Sequence, residues 1–176
     1  MRPVFCRQFL KFGRHAFAAL AIGLGMLASV PASAFDNERV ALVIGNDSYP
    51  NEPLRNAAND ARAMQKTLQE LGFKVVFKQN ADINTMRAAA VEFAKMMDGA
   101  SAAVFFYSGH GIQYSNKNYL IPVTADVQRE DEVEDESVDV NTVLSKMESA
   151  KNALNLLILD ACRNNPFQRS FRSGAQ

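Results

Sequence analysis

The chain has 176 residues, 48% of them hydrophobic, with 19 basic and 19 acidic side chains. A charge balance with no basic excess does not favour nucleic acid as a partner. The only cysteines are Cys6 and Cys162, too few for a disulfide-stapled scaffold.

In chain order, the first segment reads as an export signal. Arg2, Arg7, Lys11 and Arg14 form a basic leader, Ala16 to Val30 is apolar, and Ala32-Ser33-Ala34 offers a small-x-small cleavage site. The apolar run falls short of the roughly 20 residues a spanning helix needs, so no stable membrane anchor is expected. The predicted organisation is a signal peptide over 1–34, then one domain over 35–176, exported to the periplasm or secreted. The exported chain would keep 15 basic against 19 acidic residues, a net charge of −4, and Cys162 as its lone thiol.

Four apolar runs rich in β-branched and aromatic residues then read as buried strands: Arg39 to Gly45, Phe73 to Lys78, Ser101 to Tyr107 and Ala153 to Leu159. Helical stripes separate them. The first is Ala61, Met64, Leu68, Leu71; the second Met86, Ala89, Ala90, Phe93, Met97; the third Val140, Val143, Leu144, Met147. Gly72 and Gly99 are placed to close the first two helices, Asp82 or Asn84 to open the second, and Asn141 lies near the start of the third. Ser115-Asn116-Lys117-Asn118 reads as a turn between short extended pieces, Ile112 to Tyr114 and Tyr119 to Val123. Alternating strands and helices at this spacing predict an α/β fold with a mostly parallel sheet and helices on both faces; the expected strand order, which the alternation does not itself fix, is 2-1-3-4.

Ligand sites in such sheets lie beyond the carboxyl ends of the strands. Three ends carry unusual residues: Gly45-Asn46-Asp47, Ser108-Gly109-His110-Gly111 and Asp160-Ala161-Cys162. His110 and Cys162 are the sole histidine and cysteine after residue 34. An imidazole can take the proton of a mostly protonated thiol and return it to a leaving amine. The Gly111 and Cys162 amides could donate to the developing oxyanion. The bland alternative has Cys162 as a small buried hydrophobe and His110 as a turn residue satisfied by backbone.

Four blocks in this order, Ala41-Leu-Val-Ile-Gly-Asn46, Leu54-Arg-Asn-Ala-Ala-Asn-Asp-Ala61, Tyr107-Ser-Gly-His-Gly111 and Leu159-Asp-Ala-Cys-Arg163, resemble the caspase-like cysteine peptidases, and in particular the bacterial branch related to metacaspases. The resemblance runs from about Arg39 to Arg172. It implies a caspase-like three-layer fold and a Cys-His dyad that cleaves polypeptides, with His110 as base and acid and Cys162 as nucleophile. It also implies an acidic S1 pocket on Asp60, Ser108 and Asp160 that takes Arg or Lys, a reading consistent with two carboxylates around one cation. Aspartate specificity has no clear basic candidate, since Arg55 is offset.

A cysteine common in metacaspases is replaced by Ala57. The family continues past the nucleophile into a small-subunit region that this chain, ending at Gln176, is expected to lack. No cofactor is required by this chemistry. Seven acidic residues between Glu130 and Asp139 read first as a solvated loop and second as a calcium site, since metacaspases often respond to that ion. Arg163, Arg169 and Arg172 are candidate self-cleavage points. The alternative function is a catalytically silent caspase-fold binding or scaffold module; a hydrolase of small amides or esters using the same dyad is a third.

Overall fold

The structure, a computed structural model, describes residues 38–161 and Phe167. The expected signal over 1–34, the expected nucleophile Cys162, and the candidate self-cleavage points Arg163, Arg169 and Arg172 lie outside the described residues.

Four strands form one parallel sheet: β1 (Arg39–Gly45), β2 (Phe73–Gln79), β3 (Ala102–Ser108) and a last strand, Leu154–Asp160, that is β7 in chain order. The sheet order is β2-β1-β3-β7, the order 2-1-3-4 expected for the four main strands. β1 and β3 are central and buried on both faces, which is why they read as continuous apolar runs.

Their side chains alternate between two cores. Ala41, Val43, Val104 and Phe106 point to α1 (Ala57–Glu70), where they meet Ala61 and Leu68. Val40, Leu42, Ile44, Phe105 and Tyr107 belong to the opposite core. There they meet Met86 and Phe93 of α2 (Ile83–Met96) and Val143 and Met147 of α4 (Val140–Ser149). Each such large apolar side chain contributes about 1.5–3 kcal/mol by leaving water.

The helix ends follow from local chemistry. Gly72, with φ of +79°, takes the left-handed conformation after α1. The Asp82 carboxylate accepts from the Thr85 N–H at 2.7 Å and opens α2. α4 is opened by Asp139, whose carboxylate accepts from the Asn141 N–H at 2.8 Å, so Asn141 is the capped residue and not the cap. Leu71 and Leu144, predicted on apolar stripes, are exposed: Leu71 lies past the last turn of α1, and Leu144 sits one position round from the Val143–Met147 face.

Beyond β3 the chain makes a hairpin, β4 (Gly111–Tyr114) and β5 (Lys117–Leu120). Its turn is two residues, not four: Ser115 (φ 47°) and Asn116 (φ 62°) both adopt left-handed geometry, the pairing whose twist suits a tight hairpin. A single 3₁₀ turn (Glu130–Glu132), the short helix α3 (Val133–Glu136) and the two-residue strand β6 (Val138–Asp139) follow. β6 pairs with β5, giving a small antiparallel sheet of order β4-β5-β6. None of these three was expected, because elements this short carry no period. Under them lies a third core, with Tyr49, Ile112, Tyr119, Ile121, Val127 and Val133 buried and Phe167 packed against it.

A further expectation is corrected. β7, read as a buried strand, is an exposed edge: Leu154, Leu156 and Leu159 are 55%, 44% and 37% exposed, and only Leu157 and Ile158 reach the cores. An apolar run reports what a strand can bury, and the described residues supply cover for β1 and β3 but not for β7.

Candidate active site

The parallel registers set the strand ends level: Gly45 pairs with Ser108, and Ser108 with Asp160. Each strand then releases its chain at the same edge. The Asn46 N–H donates to the Ser108 carbonyl at 2.9 Å and the Gly109 N–H to the Asp160 carbonyl at 3.3 Å. The turn that carries His110 is thereby tied to the end of β7.

His110 is held on every side but one. Its N–H donates to the Tyr49 hydroxyl at 3.0 Å. Its carbonyl accepts from the Tyr107 hydroxyl at 2.7 Å and from the Ile121 N–H at 3.0 Å. The Tyr49 ring lies against the imidazole, centroids 4.4 Å apart and planes tilted by 53°. Nε2 stands 2.7 Å from the Glu52 carbonyl oxygen. A carbonyl can only accept, so Nε2 carries a hydrogen, and in the neutral ring Nδ1 is the nitrogen that bears the lone pair.

The two tyrosines form a buried pair, hydroxyls 3.2 Å apart, with the Tyr49 hydroxyl donating to the Ile121 carbonyl at 2.9 Å. Burial raises the Tyr49 pKa and carries that of Tyr107 well above its ordinary 10.0, so both stay neutral hydroxyls at physiological pH. A Cβ on Gly109 would stand 2.5 Å from the Tyr107 hydroxyl and 2.8 Å from that of Tyr49. Glycine is required there by close approach.

Gly111 lies in β4 opposite Leu120. Since the Ile121 N–H donates to the His110 carbonyl, Gly111 and Leu120 form a pair without mutual hydrogen bonds, and the Gly111 N–H points away from β5. Gly111 lines a recess of about 120 Å³ together with Ile112, Leu120, Leu159 and Ala161, between the hairpin and the end of β7.

The predicted pocket residues take different positions. Ser108 is buried, and its hydroxyl donates to Asp160 Oδ2 at 3.0 Å. Asp160 ends β7 and is exposed. Asp60 sits exposed in the first turn of α1. That turn is pressed onto the end of β1, where a Cβ on Gly45 would lie 2.4 Å from Ala61 Cβ and 2.9 Å from the Ala57 carbonyl oxygen. Asp60 therefore stands over the β1 end and Asp160 two strands along, about 10 Å at the usual strand spacing. Asn46, picked out as an unusual strand-end residue, is fully buried and braces the core: its Oδ1 accepts from the Ala81 N–H at 2.9 Å and its Nδ2 donates to the Ile121 carbonyl at 3.3 Å.

Several acidic residues of 130–139 already have partners. Arg129 pairs with Asp131 and Glu132, Lys117 with Glu134 and Asp139, and the Tyr119 hydroxyl donates to Glu134. Among the described residues, no three His, Cys, Asp or Glu side chains stand close enough to hold a metal ion, and no helix is long and apolar enough to cross a membrane.

Reasoning from the residues overlooked Tyr49, Tyr107 and the Glu52 carbonyl. Tyr107, two residues before Gly109 in an apolar run, offered a faint signal as a hydroxyl in a core strand. A backbone carbonyl offers none.

A parallel α/β sheet with a histidine held at its carboxyl edge defines a domain built like the caspases. The sequence matches the caspase domain of the C14 peptidases over residues 38–175, and the chain belongs to that family of cysteine peptidases. It is 31% identical over 127 residues to human mucosa-associated lymphoid tissue lymphoma translocation protein 1, covering 72% of this chain and 15% of that protein, and equally to the mouse homologue. The chain thus spans a small part of these relatives. The fold is similar to that of the Drosophila initiator caspase Dronc, with a TM-score of 0.55, 17% identity, and coverage of 73% of this chain and 50% of that one.

Proposed function

We propose that the domain is a cysteine endopeptidase in which His110 activates Cys162. The observation that carries this reading is the state of His110: Nε2–H is committed to the Glu52 carbonyl, Nδ1 is left as a base, and the turn bearing it is bonded to Asp160. Cys162 follows Asp160 by two residues, which keeps their Cα atoms within about 7 Å. Nδ1 takes the thiol proton, the thiolate attacks the scissile carbonyl, and the same nitrogen returns the proton to the amine that leaves as the C–N bond breaks; a water, deprotonated by Nδ1, then hydrolyses the Cys162 thioester, releasing the carboxylic product and regenerating the thiol. The Gly111 N–H, free of the hairpin ladder, and that of Cys162 are the proposed oxyanion donors.

Asp60 and Asp160 are the proposed S1 carboxylates, with Ser108 fixing the orientation of Asp160. One Asp160 oxygen accepts from Ser108, and the other remains for a guanidinium or ammonium. Cleavage after Arg or Lys is the expected preference, and polypeptides, including this chain at Arg163, Arg169 or Arg172, are the expected substrates. No cofactor takes part in the steps; calcium as an activator is an arm of the test. Export to the periplasm or beyond, after removal of residues 1–34, is proposed from the leader, and N-terminal sequencing of the secreted product tests it.

The test is hydrolysis of fluorogenic peptides ending in Arg, Lys or Asp, with and without calcium, beside Cys162→Ala and His110→Ala. Turnover after Arg or Lys that both variants abolish is expected. No turnover of any peptide, with Cys162 alkylated no faster than a model thiol, would sink the reading. Preference for Asp would remove the pocket and spare the dyad. Mass spectrometry of wild type and Cys162→Ala decides self-cleavage, since equal fragmentation refutes it. The exposed Leu154, Leu156 and Leu159 favour a second reading, a caspase-fold module that binds without turnover.

A further inference from the structure

We infer that Tyr49 is a positioning residue for His110, and that the loop carrying it is a clamp anchored from β2 by Asn80. The inference rests on the peptidase reading for its kinetic consequence but not for its structural one.

Two contacts to His110 come from one short loop between β1 and α1. Tyr49 accepts from the His110 N–H and covers the imidazole face, while Glu52, three residues on, takes the Nε2–H. The backbone and the ring of the base are therefore set by the same segment. A loop can orient a base only if it is itself fixed. This one closes on itself through the Leu54 N–H, which donates to the Asp47 carbonyl at 2.9 Å.

The second fixing point is Asn80, just past β2. Its Oδ1 accepts from the Asp47 N–H at 2.9 Å and the Ser48 N–H at 3.1 Å, and its Nδ2 donates to Ser48 Oγ at 2.8 Å. Ser48 in turn donates to Asp47 Oδ1 at 2.9 Å. Asn80 has φ of +52°, a conformation asparagine tolerates better than most residues, and its own N–H donates to the Gly45 carbonyl at 2.9 Å. The side chain most suited to bracing two successive amides thus sits where the backbone must turn left-handed.

The Tyr49 hydroxyl is the link that can be removed alone. Tyr49→Phe keeps the ring on the imidazole, deletes the acceptor for the His110 N–H and removes a donor from the Ile121 carbonyl. With its N–H released and only its carbonyl still held by Tyr107 and Ile121, the His110 backbone is fixed from one side, and the line from Nε2 to the Glu52 oxygen loosens. Nδ1 then spends less time facing the thiol, which lowers the rate of proton transfer without changing substrate contacts.

The experiment uses the full chain and two readouts. In ¹⁵N-histidine NMR, with the His15 signal identified by His15→Gln, the wild-type His110 Nε2–H is expected as a slowly exchanging resonance. In Tyr49→Phe it exchanges at least about tenfold faster. In peptide hydrolysis, Tyr49→Phe lowers kcat about tenfold with KM within about twofold, short of the roughly hundredfold that a 1 Å misplacement can cost. Asn80→Gly, which keeps the left-handed φ and deletes all three side-chain contacts, moves both readouts in the same direction and carries the test if Tyr49→Phe fails to fold. Leu68→Ala, which weakens the packing of α1 in the turn farthest from the carboxyl ends of the strands, is expected to leave kcat and Nε2–H exchange unchanged. Unchanged Nε2–H protection in Tyr49→Phe, or the absence of a protected Nε2–H in wild type, overturns the inference whatever the activity. Faster exchange in a protein that hydrolyses no peptide sustains the positioning role and removes the peptidase reading instead.

Discussion

Gly109→Ala is the sharpest probe of the tyrosine pair beneath His110. Gly109 lacks the positive φ of Gly72 and Gly99, so alanine's backbone is allowed and the obstacle is steric. The new Cβ would stand 2.5 Å from the Tyr107 hydroxyl, 2.8 Å from its Cζ and 2.8 Å from the Tyr49 hydroxyl. Tyr107 is fully buried and cannot swing away, and its hydroxyl holds the His110 carbonyl at 2.7 Å. Overpacking of this kind costs about 1–3 kcal/mol, and displacing one hydroxyl from a buried carbonyl adds about 1 kcal/mol. The expected loss is therefore about 3 kcal/mol. Urea unfolding followed by far-UV circular dichroism measures it, as a midpoint lowered by about 1–2 M at an unchanged slope. Gly99→Ala is the comparison: no atom lies within 4 Å of its added Cβ, and its φ of +78° predicts a conformational cost of only about 1 kcal/mol. If Gly109→Ala proves no more damaging than Gly99→Ala, the close approach of the hydroxyls is not what selects glycine.

Asn46→Ala leaves the Ala81 N–H without its buried acceptor and is expected to destabilise by about 2 kcal/mol; a loss below about 0.5 kcal/mol in the same urea assay would show that Asn46 does not brace the strand ends. Leu42→Ala, at a fully buried position of β1, is expected to cost about 3 kcal/mol, and Leu154→Ala, on the open side of β7, less than about 0.5 kcal/mol; equal costs would mean that β7 is covered in solution. The Thr85 N–H holds the Asp82 carboxyl below its ordinary 3.8, so its contribution is present above that pH and fades as pH falls through the lowered value. Asp82→Ala should therefore lower the melting temperature at pH 7 and differ less and less from wild type below about pH 4; a pH-independent gap would refute the capping role.

The central sheet was legible because β1 and β3 are buried on both faces, and such strands must be apolar throughout. Their parallel pairing followed from the helices that alternate with them. β7 was legible as a strand but not as an edge, because Leu154 and Leu156 look the same whether or not another layer covers them. The hairpin turn was overestimated at Lys117 and Asn118, where polar side chains sit in a strand whose two faces are buried further on by Tyr119 in one core and Leu120 in another. In the site, His110 stood out as a lone histidine between glycines. What orients it did not, since Glu52 acts through its backbone and Tyr49 lies in a polar loop, sixty-one residues away in sequence.

Asp160 separates charge from scaffolding most cleanly. Its Oδ2 accepts from Ser108, so truncation to alanine would remove that tie to β3 and the pocket charge together, leaving only the backbone bond from Gly109. Asp160→Asn keeps an oxygen that can accept from Ser108 and keeps the backbone contact, while deleting the charge. If Asp160 serves only to tie β3 to β7, the variant should unfold like wild type and turn over peptides equally well. If its second oxygen meets a guanidinium, the loss of a charged partner, about 1.5–3 kcal/mol, lowers kcat/KM for Arg peptides by roughly 10- to 100-fold with stability unchanged. An undiminished Arg preference in a stably folded Asp160→Asn would leave Asp60 as the remaining acidic candidate for the pocket and reduce the Ser108–Asp160 pair to a structural tie.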